Sequence, residues 1–203
     1  MKATDDVSES RRSENAAREL RSDVALEPYV DQYGPLELTT AEDPFERLVT
    51  SLVRQQVSMD AAAAIQDRLF DRFEITPATL LAAGQDELTA VGLSAAKAEY
   101  VQAIADAFQT NGYDYSSFAP MDNETVLDEL TEIRGVGPWT GKMFLLFALG
   151  RPDVFPVEDL GVRKGMETVC SREMTRGEMC ERAAAWEPYR SYASLYLWRA
   201  YEG

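Results

Sequence analysis

Apolar residues in this 203-residue chain recur at helical spacing and hardly anywhere in strict alternation, so the sequence offers helices and no convincing strand pair. The clearest case begins at Asp43-Pro44. Asp43 supplies a side-chain acceptor for the free amides of a helix start, Pro44 suits the first helical position, and Glu46 completes a capping-box arrangement. Phe45, Leu48, Val49, Leu52, Val53 and Val57 then share one face. Ser58 caps a second helix carrying Ile65, Leu69 and Phe73, and Thr76-Pro77 opens a short third one that stops at Gly84. Gly92-Leu93-Ser94 turns into a helix with Val101, Ile104 and Phe108, closed by Asn111-Gly112. Upstream, residues 1–12 read as a disordered tail, followed by a helix with Leu20, Val24 and Leu26 that ends near Tyr33-Gly34-Pro35. Segment 113–122 reads as a linker. Beyond it come a helix to Ile133, a glycine turn, a helix over 138–149, an extended piece through Pro156 and a helix opening at Asp159. Thr175 and Glu178 make another capping box, and a last helix starts near Tyr189. The fold class is all-α.

The residue inventory narrows the chemistry. Two cysteines, Cys170 and Cys180, and no histidine exclude a Cys/His zinc site, a four-cysteine iron–sulfur cluster and histidine acid–base catalysis. The cysteines read as packing residues. Carboxylates, hydroxyls, lysines, tyrosines and backbone groups remain. No apolar run is long enough to span a bilayer, and the polar N-terminus lacks the apolar stretch of a secretory signal. The expectation is a cytoplasmic, nucleoid-associated protein with no membrane partner.

Charge points two ways. With 35 acidic residues against 20 basic ones the net charge is −15, and lysine occurs only at Lys2, Lys97, Lys142 and Lys164. Taken alone this disfavours nucleic acid, which is gripped by basic faces, and favours an acidic protein docked on basic partners. It equally suits life in molar salt, where the Debye length shrinks to about 3 Å and distant repulsion from DNA is screened. The halophilic reading holds if some site grips phosphate without side-chain charge.

The stretch LTEIRGVGPWTGKM (130–143) offers one. A helix ends, Gly135 and Gly137 bracket one apolar residue, and a second helix begins at Pro138. Glycines leave their N–H groups uncovered, and with the amides of the next helix's first turn they form a main-chain anion site. The same pattern also fits an ordinary connection between two helices. The stretch DVFPVEDLGVR (153–163) places Asp159 at a helix start. There it is an N-cap, and a helix N-terminus also favours a carboxylate's negative charge for use against a nearby cation.

The hairpin IRGVGPWTGKM followed by DVFPVEDLGVR resembles the helix–hairpin–helix DNA glycosylase superfamily, in its 3-methyladenine DNA glycosylase II branch. DPFERLVTSLVRQQVS (43–58), VGLSAAKAEYV (91–101) and WEPYRSYASLYLW (186–198) agree with it in order. The resemblance implies a two-lobed helical bundle with the lesion cleft between the lobes. One lobe would be 43–118 and the other 13–42 plus 119–203, with the hairpin and catalytic aspartate together in the second. It implies Asp159 as catalytic carboxylate, and DNA contacts from the main chain around Gly135, Val136, Gly137, Trp139 and Thr140. A monovalent cation, K+ or Na+, would be held by the carbonyls of Thr131, Ile133 and Val136, with no cofactor for catalysis and no iron–sulfur cluster. Trp139 stands where strand-nicking relatives carry a Schiff-base lysine. Trp198 matches an aromatic that stacks on the flipped base, with Tyr192 on a nearby turn. Gln56 falls at the position of a wedge that fills the gap in the duplex, with Ser58 beside it. Met143 and Leu160 stand where one relative has pocket tyrosines, so the pocket is less aromatic.

The expected function is therefore a monofunctional glycosylase of base excision repair. It would act as a monomer on damaged double-stranded DNA and release alkylated purines such as 3-methyladenine and 7-methylguanine. A glycosylase for oxidised or deaminated bases and a non-catalytic hairpin module, with Asp159 only a cap, remain the alternatives.

Overall fold

Side chains that cap helix starts set most element boundaries in the computed structural model, which describes residues 2–203, with side chains from residue 9 onward. Met1 of the expected tail lies outside the described residues. The helices run α1 (Lys2–Leu20), α2 (Glu27–Tyr33), α3 (Pro44–Val53), α4 (Met59–Arg72), α5 (Pro77–Ala82), α6 (Gln85–Ala90) and α7 (Ala95–Asn111). They continue with α8 (Tyr115–Phe118), α9 (Asn123–Thr131), α10 (Pro138–Phe147), α11 (Leu160–Cys170), α12 (Arg176–Ala183) and α13 (Arg190–Glu202), with a 3-10 turn at Ala184–Trp186. No strand occurs among the described residues. Asp43 Oδ1 accepts the Phe45 and Glu46 amides at 2.7 and 3.1 Å. Ser58, Thr76, Ser94, Asp122, Asp159 and Thr175 each accept an amide of their own first turn. None of the helices is long and apolar enough to cross a membrane.

The chain divides into two units, the residues up to Thr39 with Gly150–Gly203, and Thr40–Leu149. In the second unit α3 packs on α7 and α10, α5 and α6 lie on α7, and α9 pairs with α10. Leu48, Val49, Leu52, Ile104 and Leu146 are fully buried there. The expected boundary after residue 118 is corrected here, because 113–122 is not a linker. Phe118, on the short α8, is completely buried. It stacks edge-on to Phe144 at 5.2 Å and lies 4.9 Å from the Tyr113 ring, while Phe108 meets Phe45 at 5.3 Å. This aromatic cluster joins α3, α7 and α8 to α10, so the hairpin belongs with the helices that precede it rather than with Asp159.

In the other unit α11 and α13 pack closely, and α13 also meets α1 and α2. Residues 2–12 are helical, not a disordered tail: Glu9 on α1 accepts from the Leu38 amide at 3.1 Å and from the Tyr192 hydroxyl at 2.7 Å. The expected helix through Leu26 breaks after Leu20, and Val24, 84 % exposed, is a surface residue of that turn. Asp23 in the turn is half-buried and faces α12. Its carboxylate pairs with Arg182 and accepts the Trp186 indole N–H at 2.8 Å and the Ala25 amide at 3.0 Å. The two cysteines are unpaired, and Cys180 is exposed rather than packed.

A methyl group on Gly165 would lie 1.9 Å from the Leu197 carbonyl, so α11 and α13 approach only because this position is bare. Gly165→Ala should lower unfolding stability by about 1–3 kcal/mol in urea titration. For Asp23, burial opposes the charged form, but the Arg182 and Trp186 donors, the Arg182 charge and the Ala25 amide outweigh it and hold the carboxyl below its ordinary value. A depressed folded value gives stability that is present above the unfolded carboxyl's pKa and lost as pH falls through the folded one. Asp23→Asn should therefore be less stable by about 1–3 kcal/mol at pH 7, with the difference closing below about pH 4 in denaturation curves recorded against pH.

Candidate functional site

The second unit carries the hairpin. Helix α9 ends at Thr131, the Val136 N–H closes a turn on the Ile133 carbonyl at 3.0 Å, and α10 starts at Pro138 with Gly137 as a cap that has no side chain to offer. Gly135 has φ +94°, and a β-carbon there would stand 2.2 Å from the Tyr100 ring. Only glycine satisfies both demands. A β-carbon on Gly137 meets nothing within 4 Å, so this side of the turn is open. Among the described residues no acceptor takes the Gly135 or Gly137 N–H. Gly137 caps a ten-residue helix, and the N-terminus of a helix is a place where uncovered main-chain amides favour an anion. Val136 is a correction to the expected set of amides, since its N–H is used inside the turn. The Thr140 side chain is 1 % exposed and accepts a bond from Gln55, so only its main chain is left for a ligand.

The loop after α3 lies against this hairpin. Gln55 Nε2 donates to the Gly135 carbonyl at 3.1 Å and to Thr140 Oγ1 at 2.7 Å. The half-buried Lys97 ammonium donates to the Val53 and Gln55 carbonyls at 2.7 and 2.8 Å. Burial lowers the pKa of that amine. Between these anchors Gln56 is exposed with φ +53°, a left-handed conformation costing a non-glycine residue about 1–2 kcal/mol. Bonds to a charged donor are worth about 1.5–3 kcal/mol each, so the ammonium alone is enough to hold the strained turn. Ser58, two residues on in the exposed loop, caps α4 by accepting the Ala61 amide at 3.3 Å. Trp139 is half-buried. Met143 is only 5 % exposed and lies in the helical core, a correction to its expected place in a pocket.

The other unit carries the carboxylate. Asp159 precedes α11, and its Oδ1 accepts the Val162 amide at 3.0 Å and the Trp198 indole N–H at 2.8 Å. Gly161 leaves room for that indole, because a β-carbon there would lie 2.8 Å from Trp198 Cδ1. The carboxylate is thus both a helix cap and a group held by a second element. Leu160 is 54 % exposed beside it. Tyr192 is a correction. It is fully buried with its hydroxyl on Glu9, because it lies on the face of α13 turned to α1, and it lines no pocket. Arg190 is held by Asp153 and Glu187, so it is an ion-pair partner rather than a phosphate ligand.

A profile described as HhH-GPD superfamily base excision DNA repair protein matches residues 49–191. The chain belongs to this superfamily. DNA-3-methyladenine glycosylase 1 of Schizosaccharomyces pombe is 30 % identical over 181 residues, covering 84 % of this chain and 78 % of the relative. The solved structure of the S. pombe 3-methyladenine DNA glycosylase in complex with abasic DNA superposes with a TM-score of 0.84 at 28 % identity, covering 91 % of this chain and 95 % of the other. A DNA-3-methyladenine glycosidase from Bacillus halodurans gives 0.79 at 32 % identity, covering 90 % and 87 %.

Within this superfamily member, the sequence reading missed Gln55, Lys97 and Tyr100 as parts of the hairpin's setting. Each stood in a quoted motif, but nothing local says that an amide on 55 reaches position 135 or that an ammonium on 97 turns to α3. Gly135 and Gly137 should part in stability measurements: Gly135→Ala loses about 2 kcal/mol or more, while Gly137→Ala stays within about 0.5 kcal/mol of the wild type.

Proposed function

We propose that this base excision repair protein is a monofunctional DNA glycosylase that hydrolyses the N-glycosidic bond of alkylated purines, 3-methyladenine and 7-methylguanine among them, in double-stranded DNA. The observation that carries the reading is the Asp159 carboxylate, held on one oxygen by the Val162 amide and the Trp198 indole, in a chain similar to named 3-methyladenine glycosylases.

The target base is flipped from the stack at a cost of roughly a few kcal/mol, least for a damaged base. Alkylation at purine N3 or N7 makes the base cationic, hence a good leaving group that needs no acid to protonate it. That agrees with a chain without histidine. As the C1′–N bond lengthens, positive charge grows on the sugar, and the Asp159 carboxylate stabilises it and orients the attacking water. Aromatic faces favour a cationic base through cation–π attraction, the role proposed for Trp139 and Trp198, with Leu160 as apolar lining. Trp139 also supports release without strand nicking, since an indole forms no Schiff base.

The main-chain N–H groups of Gly135, Gly137 and Thr140 would receive a DNA phosphate, and Gln56, with Ser58 beside it, would enter the duplex. Carbonyl oxygens suit a hard monovalent cation. Thr131 and Ile133 lie where α9 has run out of amide partners, and the Ile133 oxygen keeps a lone pair beyond its bond to Val136. With Val136 these carbonyls would hold K+ or Na+, which would supply positive charge beside the phosphate. A main-chain grip of this kind fits a protein of net charge −15 working as a monomer in molar salt.

The test is base release from a duplex carrying 7-methylguanine, in molar KCl, with wild type and Asp159→Asn. Wild type should leave an unnicked abasic site, and the variant should be slower by about 10²–10³-fold. Equal rates would reduce Asp159 to a helix cap and overturn the mechanism. A nicked product would overturn the monofunctional reading.

A further inference from the structure

We propose that Lys97 and Gln55 are positioning residues that lock the exposed Gln56 and the hairpin into one rigid element, so that DNA held at the hairpin meets Gln56 already set for insertion. The inference rests on the reading of the chain as a base-flipping enzyme and concerns residues to which that reading gives no role.

Helix α3 ends at Val53, and the Arg54 and Gln55 amides return to its Thr50 and Leu52 carbonyls, but among the described residues no main-chain amide reaches the Val53 and Gln55 carbonyls. Left to water, they would let 54–57 move as an ordinary exposed turn. Instead Lys97 spans both the Val53 and Gln55 carbonyls. Its ammonium is partly withdrawn from solvent to do so, and its pKa falls as a result. The Gln55 side chain runs the other way and donates to both sides of the open turn, Gly135 before it and Thr140 after it. Gln56 is therefore flanked by a residue fixed at its carbonyl by α7 and at its amide by the hairpin. That leaves the left-handed backbone of Gln56 as the conformation the anchors impose.

Helix α7 serves both ends of the arrangement. Lys97 and Tyr100 lie three residues apart on it, on one face. Lys97 holds the loop, and the Tyr100 ring fills the space that a side chain at 135 would need. The exposed tip beyond Gln55 then consists of Gln56, Val57, Ser58 and Met59, with Val57 38 % and Met59 70 % exposed. A rigid apolar-flanked tip at fixed distance from a phosphate-binding turn is what strand insertion requires, because misplacement by about 1 Å costs up to about a hundredfold in rate.

The experiment uses a duplex with 2-aminopurine beside a tetrahydrofuran abasic analogue, which has no base to release. Fluorescence rises when the reporter is unstacked, and anisotropy gives the affinity separately. Lys97→Met and Gln55→Leu, like the control Gln56→Ala, should lose most of the fluorescence rise while affinity changes by less than about threefold. A wild-type rise in either variant overturns the inference, as does affinity falling in step with the rise, which would make the pair a mere support of the hairpin. If Lys97→Met does not fold, Gln55→Leu decides alone by the same criteria. Wild type that unstacks the reporter but releases no alkylated purine refutes the substrate reading and leaves this one standing. Wild type that releases purine without unstacking the reporter refutes this one and leaves the other, and failure to bind the duplex refutes both.

Discussion

The constraint on which the structure most depends is that a helix start leaves backbone N–H groups without partners. A chain built from many short helices meets this demand repeatedly, and it answers with side-chain oxygens at Asp43, Ser58, Thr76, Ser94, Asp122, Asp159 and Thr175. At α10, as at α2, α6 and α13, no N-cap side chain gives such an answer. Gly137 has no side chain, Pro138 has no N–H, and the approach to Gly137 is open. The hairpin's proposed grip on phosphate is thus the same unmet need as at every other helix start, left for a ligand to satisfy. Asp159 combines the two situations, capping α11 while it is held by Trp198 from α13.

The charge pattern follows the same logic. Several of the chain's cations are paired within it: Arg182 with Asp23, Arg190 with Asp153 and Glu187, Arg134 with Glu99, Arg72 with Glu87. Lys97 is spent on main-chain carbonyls. Such cations add little to a long-range field that could draw in DNA, and in molar salt that field would be screened within about 3 Å in any case. A grip made of oriented amides acts at contact distance, where screening matters least. On the proposed reading, the opposition between a net charge of −15 and a DNA-repair family would be a matter of range: repulsion at a distance would be screened, and binding would be local.

Errors in the sequence reading have a common origin. Segment 113–122 is polar and rich in turn formers, which is why it reads as a linker, yet Tyr113 and Phe118 join an aromatic cluster with Phe108 and Phe144. That packing moves the hairpin into the unit of the preceding helices. Tyr192 and Met143 are amphipathic or flexible side chains that suit a pocket as well as a core. Neighbouring elements decide the matter, α1 in the first case and the helices around α10 in the second. The polar opening of the chain fails as a disorder signal because Glu9 gains partners from Leu38 and Tyr192, far along the chain.

Much that depends on interactions across three or four residues was legible in the sequence itself: the all-helical class, the caps at Asp43, Ser58 and Thr175, the glycine turn at 135–137 and Asp159 at the head of a helix. These are governed by local hydrogen bonding and backbone freedom, which residue type and spacing specify. Only the tertiary structure decided which unit holds the hairpin, that Tyr192 is core, that Trp198 donates to Asp159 and that Gln55 and Lys97 bracket Gln56. Those outcomes depend on which faces meet across tens of residues, as when Gln55 reaches Gly135, and packing selects them by shape and by the need to pair every buried polar group.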